Sequence, residues 1–126
     1  MTERVLVVDD DKALVELVSD TLLDAGYVVS GVGTAEECLA SLAGERPDLL
    51  ILDITLPGMS GLEALASIRN EAGTKYLPVI ILTASNQHDD RLVAWMGGAD
   101  RYITKPFTTQ ALLHAVRHLL HPPARL

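Results

Sequence analysis

The sequence predicts an α/β fold in which one parallel sheet of five strands is covered by helices on both faces. Short aliphatic runs alternate with stretches of helical periodicity along the whole chain, an order typical of βα repeats joined by right-handed crossovers. With 126 residues, 48% of them hydrophobic, the chain is long enough to bury one core, and no second domain is expected.

The strand pattern also predicts the order of the sheet. The five predicted strands cover Val5–Val8, Tyr27–Val32, Leu49–Asp53, Val79–Thr83 and Arg101–Thr104. The first, third and fourth are continuous aliphatic runs, as expected for central strands that are buried on both faces. The second strand carries Ser30 and Gly31, and the fifth is short and polar, so these two are predicted at the edges. The order 2-1-3-4-5 satisfies this pattern and places a switch point between the first and third strands.

Polar caps and glycines mark the ends of five predicted helices. The segments Thr34–Glu37 and Ser60–Glu63 have the spacing of capping boxes and start the second and third helices. Gly26 is predicted to end the first helix and Gly73 the third. The predicted helices cover residues 12–25, 34–44, 60–71, 88–96 and 108–120. The apolar residues of the first helix recur at the spacing of one buried face: Leu14, Leu17, Val18, Leu22 and Ala25.

The composition argues against nucleic-acid and membrane partners. The formal net charge is −7 and the sequence pI is about 4.9, so a phosphate backbone or an anionic lipid surface would repel the chain. The start of the chain lacks a signal-peptide pattern and the apolar runs are short, so we expect no membrane contact and a cytoplasmic location. Cys38 is the only cysteine, and its helical context predicts a partly buried structural thiol.

Residues suited to phosphoryl chemistry stand at the ends of four predicted strands. Asp9 and Asp10 follow the first strand, Asp53 and Thr83 end the third and fourth, and Lys105 follows the fifth. Ligands bind outside the carboxyl ends of strands in open α/β sheets, so these side chains are expected to meet. Three carboxylates a few ångströms apart need a proton or a cation among them. Ligation by oxygen alone favours Mg²⁺, with Mn²⁺ as a second option, over zinc.

This set of residues predicts phosphoryl transfer to a carboxylate. An aspartate can attack phosphorus and form an aspartyl phosphate. A metal ion and the ammonium of Lys105 would neutralise charge on the transferring group, and Thr83 would offer a hydroxyl to a phosphoryl oxygen. Taken singly, the aspartates after the first strand also fit as helix caps, and Asp53 fits as a turn former. We expect Asp11 to act only as a cap.

The same residues stand in motifs that resemble the receiver domain of bacterial response regulators. The motifs are Val8-Asp9-Asp10, Asp53 with Leu56-Pro57-Gly58 and Gly61, Thr83-Ala84, Gly98-Ala99-Asp100, and Tyr102-Ile103-Thr104-Lys105-Pro106-Phe107. The resemblance covers essentially the whole chain. It implies a flavodoxin-like (βα)5 three-layer sandwich, with a receiver domain over residues 1–121 and a tail or the start of a linker over 122–126. Arg101 departs from the pattern, because this position is often acidic in the family.

The resemblance assigns the acceptor and the metal ligands. Asp53 is the expected phosphoacceptor. Asp10, Asp53 and the backbone carbonyl of Thr55 are expected to hold Mg²⁺ directly, and Asp9 to act mainly through water.

The resemblance also assigns the residues that bind the phosphoryl group and respond to it. Thr83 and the Ala84 amide are expected to bind the phosphoryl group, and Lys105 to pair with it. Thr83 and Tyr102 would form the switch, in which the aromatic ring swings inward when the threonine moves. Taken alone, Tyr102 also fits as a half-buried aromatic of an edge strand. The bond before Pro106 is expected to be cis.

By the same resemblance the chain is a signalling switch and not an enzyme, because it catalyses only its own phosphorylation and slow dephosphorylation. The expected partners are a sensor histidine kinase or a phosphotransfer protein, and an output partner protein or fused output domain. A phosphorylation-dependent homodimer would use the helix over 88–96, the fifth strand and the last helix. That face includes Arg91, Trp95, Arg101, Tyr102 and Arg117.

Three other functions fit the residues less well. A metal-dependent phosphatase of the haloacid-dehalogenase type needs an acid-base aspartate two residues after the nucleophile, where this chain has Thr55, and it needs a cap domain. A degenerate receiver acting as a constitutive interaction module would not require an intact set of Asp10, Asp53, Thr83 and Lys105. A flavin-binding protein of this fold needs a Gly-rich phosphate loop after the first strand, and none is present.

Overall fold

Strands and helices alternate along the chain in the predicted order. The structure, a computed structural model, describes residues 2–84 and 97–123. Its strands are β1 (Arg4–Val8), β2 (Val28–Val32), β3 (Leu49–Asp53), β4 (Val79–Thr83) and β5 (Arg101–Thr104). Its helices are α1 (Lys12–Asp24), α2 (Ala35–Ala43), α3 (Gly61–Asn70) and α4 (Thr109–Leu120). Within these ranges no helix has both the length and the apolar character that a membrane span requires.

One predicted helix falls in the gap between these ranges. The helix expected over residues 88–96 lies outside the described residues. Arg91 and Trp95, which were assigned to the predicted dimer face, lie outside them as well.

The five strands form one parallel sheet in the order β2-β1-β3-β4-β5, which confirms the predicted topology. β3 and β4 are buried along their whole length, whereas β2 and β5 lie at the edges and are partly exposed. Alternate strand residues point to opposite faces of the sheet and enter two separate core clusters. α2 and α3 pack on one face, and α1 and α4 pack on the other. The fold is therefore the three-layer sandwich that the sequence predicts.

Side-chain caps start all four described helices. The Asp11 carboxylate accepts hydrogen bonds from two amides in the first turn of α1, the capping role predicted for it. The hydroxyls of Thr34 and Ser60 accept hydrogen bonds from amides three residues further on, which confirms the start of both predicted capping boxes. Thr108 caps α4 in the same way. After α1, Gly26 takes a φ of 99°, a left-handed conformation that favours glycine at a helix end.

One residue of the predicted α1 stripe faces solvent. Leu17 is 51% exposed, so its predicted place in the core was wrong. The buried stripe runs through Val18 and Leu22 and is flanked by the partly buried Leu14 and Val15. Because each helical residue advances by about 100° around the axis, a stripe centred toward Val15 turns Leu17 outward.

The end of α3 also differs from the prediction that Gly73 closes the helix. α3 ends at Asn70, and the Thr74 hydroxyl donates a 2.7 Å hydrogen bond to the Ile68 carbonyl. A side chain, and not a glycine turn, therefore satisfies a carbonyl at this helix end. The Gly73 carbonyl accepts a 2.8 Å hydrogen bond from Arg46, and a Cβ at this position would overlap the Arg46 guanidinium. Gly73 thus makes room for Arg46.

Cys38 lies deeper than its sequence context predicts. The residue has no exposed surface and belongs to the core cluster beneath α2. Burial raises the pKa of the Cys38 thiol to about 12, because the apolar surroundings disfavour the thiolate. The side chain therefore acts as a packing group of the core.

Gly61 lets α3 begin directly against the end of β3. The Gly61 amide donates a 3.0 Å hydrogen bond to the Ile54 carbonyl. A Cβ at this position would overlap the carbonyl oxygen of Asp53, so the requirement is one of space. This close approach fixes the backbone that follows Asp53.

Replacing Gly61 by alanine is expected to lower the free energy of unfolding by about 1–3 kcal/mol, because the added methyl group must displace backbone. Urea denaturation followed by circular dichroism measures the change. Gly33→Ala is the matched control, because a Cβ there would come no closer than 3.9 Å to Glu37. Equal unfolding free energies for Gly61→Ala and Gly33→Ala would contradict the steric role of Gly61.

Candidate functional site

The sheet brings the strand ends together in register. Asp53 pairs with Leu82 across β3 and β4, and Thr83 pairs with Thr104 across β4 and β5. One residue later, the Lys105 amide donates a 2.7 Å hydrogen bond to the Thr83 carbonyl. β1 lies on the other side of β3, so the aspartates that follow β1 adjoin this group.

Hydrogen bonds hold both carboxylate oxygens and the backbone amide of Asp9. Its side chain is buried, and the residue is only 2% exposed. Oδ1 accepts a 2.9 Å hydrogen bond from the Asp11 amide, and Oδ2 lies 2.8 Å from Nζ of Lys105. The Asp9 amide donates to the Val32 carbonyl of β2 at 3.2 Å. Both carboxylate oxygens of Asp9 therefore already accept a hydrogen bond within the protein.

Asp53 occupies a similar position at the end of β3. The residue is 5% exposed. Its Oδ1 accepts a 3.1 Å hydrogen bond from the Thr55 amide, and its Oδ2 lies 3.4 Å from Nζ of Lys105. One ammonium thus bridges two buried carboxylates.

The surroundings of Asp53 disfavour its ionised form. Burial raises the pKa of Asp53, the Thr55 amide lowers it, the charge of Asp9 raises it again and Lys105 lowers it. The net result is a pKa above the usual value for aspartate. An additional positive charge near Asp53 would therefore be favourable.

The same environment favours the charged form of Lys105. Burial on its own lowers the pKa of Lys105, but the hydrogen bond to Asp9 and the charges of Asp53 and Asp9 outweigh this effect. The net pKa of Lys105 is raised. The side chain stays a cation, which is the form that can pair with a phosphoryl oxygen.

Three carboxylates are arranged as a metal site would require. Asp9, Asp10 and Asp53 each offer an oxygen, and these oxygens lie within 4.8 Å of one another. Asp10 is exposed whereas the other two are buried, so the cluster opens to solvent on the Asp10 side. Oxygen donors with room for water suit Mg²⁺ or Mn²⁺, and the residues present fit either ion.

An open groove leads to the exposed side of the cluster. It lies between the loops that follow β1, β2 and β3, and its lining includes Asp10, Lys12, Thr34 and Pro57. The groove opens the Asp10 side of the cluster to solvent.

The remaining predicted residues lie around the same strand ends. Thr83 is fully buried, and Ala84 follows it at an exposed position. Tyr102 is partly buried and packs against the core cluster on the α2 and α3 face. The Lys105–Pro106 peptide bond is cis. The roles of Thr83, Ala84 and Tyr102 toward a phosphoryl group stay predictions.

Two hydrogen bonds of the site were missing from the sequence analysis. The amides of Asp11 and Thr55 each donate to an aspartate two residues earlier, namely Asp9 and Asp53. Aspartate at the end of a strand often bonds the backbone two residues on. This local preference could have identified both bonds and the orientation that they impose.

Comparison with known proteins gives this geometry a context. Residues 5–117 match the family model described as response regulator receiver domain. The probable transcriptional regulatory protein TcrX of Mycobacterium tuberculosis is 40% identical over 116 residues, which are 92% of this chain and 49% of TcrX. The DNA-binding response regulator MtrA of Mycobacterium leprae is 37% identical over 117 residues, 93% of this chain and 51% of MtrA. The chain spans about half the length of these curated relatives.

Solved structures agree with the sequence comparison. The chemotaxis response regulator CheY4 of Vibrio cholerae matches with a TM-score of 0.89 and 31% identity, over 94% of this chain and 99% of that chain. The signal receiver domain of a signal transduction histidine kinase from Syntrophus aciditrophicus matches with a TM-score of 0.90 and 30% identity, over 99% and 95% of the two chains. Sequence and fold lead to one conclusion: the chain belongs to the family of response regulator receiver domains, the signalling modules of two-component systems.

Proposed function

We propose that this receiver domain is a switch activated by phosphorylation of Asp53, with the phosphohistidine of a histidine kinase or of a phosphotransfer protein as the donor. The observation that carries the proposal is the bridge made by Lys105, whose Nζ lies 2.8 Å from Asp9 and 3.4 Å from Asp53. Asp10 brings a third carboxylate oxygen within 4.8 Å of oxygens of Asp9 and Asp53, so the carboxylates outnumber the ammonium. The excess negative charge suits a divalent cation, and the cation together with Lys105 suits a phosphoryl group.

In the proposed reaction an Asp53 carboxylate oxygen attacks phosphorus. A P–O bond forms while the P–N bond to the donor imidazole breaks, and the bonding electron pair stays on that nitrogen. Asp10, Asp53 and the Thr55 carbonyl would hold Mg²⁺ or Mn²⁺, which supplies positive charge to the phosphoryl oxygens when bound. Asp9 would act through water, since the Asp11 amide and Lys105 already occupy its oxygens.

The phosphoryl oxygens would be bound by the Thr83 hydroxyl, the Ala84 amide and the Lys105 ammonium. The hydrogen bond between the Lys105 amide and the Thr83 carbonyl holds the backbones of these two residues side by side. Lys105 would exchange its contact with the Asp53 carboxylate for one with a phosphoryl oxygen. Movement of Thr83 toward that group would let Tyr102 turn inward and change the surface at β5, so the two states would differ in the partners they bind.

Output is proposed to pass through a partner protein or a fused output domain. Residues 1–121 would form the receiver and residues 122–126 a tail or a linker. The relatives named as DNA-binding are about twice as long as this chain, so the expectation of no nucleic-acid contact concerns this domain alone. Pairing of two phosphorylated copies through β5, α4 and residues 88–96 also stays a prediction.

Incubation with Mg²⁺ and acetyl phosphate is expected to add one phosphoryl group per chain, measured by intact mass. Asp53→Asn should abolish the adduct because it removes the nucleophile, and a chelator should abolish it in the unchanged protein. Asp11→Asn is the matched control, since Asp11 caps α1 and should leave the adduct intact. An adduct that persists in Asp53→Asn, or no adduct in the folded protein with Mg²⁺, would overturn the proposal.

Lys105→Met is expected to slow phosphorylation by about 10²-fold, because it removes one charge that stabilises the transferring group. The same change should tighten Mg²⁺ binding, since the ammonium offsets the negative charge of Asp9 and Asp53 that attracts the metal. Stopped-flow phosphorylation and calorimetric Mg²⁺ titration measure the two effects. Lys75→Met is the control, because Lys75 lies beside Tyr76, outside the cluster. Phosphorylation of Lys105→Met at the unchanged rate would contradict the role of the ammonium.

Without metal, Asp53→Asn is expected to raise the free energy of unfolding at neutral pH. The pKa of Asp53 is raised in the folded state, so its ionised form costs stability above that pKa, and protonation removes the cost at lower pH. The difference in unfolding free energy between Asp53→Asn and the unchanged protein should therefore shrink as the pH falls. It should vanish near pH 4, about the pKa of aspartate in an unfolded chain. Urea denaturation in a chelator across this range measures it. An advantage that grows on acidification would contradict the sign of the shift.

A further inference from the structure

The chain concentrates its histidines in α4 and at the residue that follows this helix. Three of its four histidines are His114, His118 and His121. His114 and His118 are four residues apart within α4, and both are exposed. The buried stripe of α4 includes Leu112 and Val116, so the two histidines project from the opposite side.

The two imidazoles already face each other. The ring centroids of His114 and His118 lie 6.0 Å apart, and the ring planes are inclined by 32°. Two imidazoles that share a tetrahedral Zn²⁺, with Zn–N bonds of about 2.0–2.1 Å, have centroids about 5 Å apart. Exposed side chains change rotamer within nanoseconds, so small rotations close this difference. The spacing is also that of the two histidines in helical H-E-x-x-H zinc sites.

We propose that His114 and His118 form a chelating pair for a divalent transition-metal ion of the Zn²⁺, Ni²⁺ or Cu²⁺ class. Imidazole nitrogen suits these ions, whereas Mg²⁺ prefers oxygen. The site is separate from the carboxylate cluster and does not depend on phosphorylation. Water would complete the coordination, because two protein ligands leave open positions.

The surroundings of the pair support a site of moderate affinity. The formal net charge of −7 draws cations toward the chain, while the guanidinium of the neighbouring Arg117 opposes a second positive charge. His121 is engaged elsewhere, since its Nε2 lies 2.8 Å from Oε2 of Glu3. The pair therefore consists of His114 and His118, and His121 serves as an internal control.

Calorimetric titration with Zn²⁺ at mildly alkaline pH tests the proposal. Excess Mg²⁺ is present throughout, so that the carboxylates do not contribute. We expect saturable Zn²⁺ binding that weakens by at least about tenfold in His114→Gln and in His118→Gln, and is retained in His121→Gln. Circular dichroism would verify that each variant is folded.

A variant in which the histidine pair is moved by one helical turn tests whether the four-residue spacing is what binds the metal. Gln110 is exposed and lies one helical turn before His114. Combining His118→Gln with Gln110→His restores two imidazoles four residues apart, and Zn²⁺ binding should return. Absence of Zn²⁺ binding in the unchanged protein, unchanged binding in both single variants, or no recovery in the rearranged pair would overturn the proposal.

Discussion

One ammonium between two buried carboxylates organises the carboxyl end of the sheet. Asp9 and Asp53 are buried and would repel each other, and Lys105 compensates for part of that charge from between them. Asp9 and Lys105 are 96 residues apart in the sequence. Their ion pair therefore forms only when β1, β3, β4 and β5 are all in register. The cluster is a property of the complete sheet and cannot be assembled by any one βα unit.

Local backbone contacts then fix the direction of each carboxylate. An amide two residues further on holds one oxygen of Asp9 and one of Asp53. Behind Asp53, Gly61 allows α3 to approach the strand so closely that a methyl group would not fit. Such support matters because a charge cluster contributes to function only when its members are held in place before a ligand arrives. The site combines two buried carboxylates, each held by a backbone amide, with one exposed carboxylate, Asp10, on the groove side.

The sequence predicted the features that depend on short-range patterns. Buried parallel strands are continuous aliphatic runs, so the ends of β3 and β4 could be predicted to the residue, and the edge strands were recognised by their polar residues. Helix starts were equally clear because the capping side chains lie within three residues of the amides they bind. Features that depend on distant neighbours were not predictable. Gly73 was misread as a helix stop because the guanidinium beside it comes from Arg46, in another loop.

The same limit applies within the candidate site. Periodicity places Asp9, Asp53 and Lys105 at strand ends. That one ammonium bridges the two carboxylates could not be predicted, because the contact depends on how far side chains reach across four neighbouring strands. Leu17 shows the limit on a helix, where the edge of the buried stripe depends on how the helix sits on the sheet. The resemblance to a family supplied roles that neither periodicity nor geometry establishes.

The deep burial of Cys38 has a practical consequence. The only thiol in the chain is enclosed in the core and is poorly ionised near neutral pH, so it is a slow nucleophile toward alkylating dyes. A cysteine introduced at any exposed position would therefore be the one site that such reagents label under native conditions. Spectroscopic probes can be attached to this domain without removing its natural cysteine, which leaves the packing beneath α2 undisturbed.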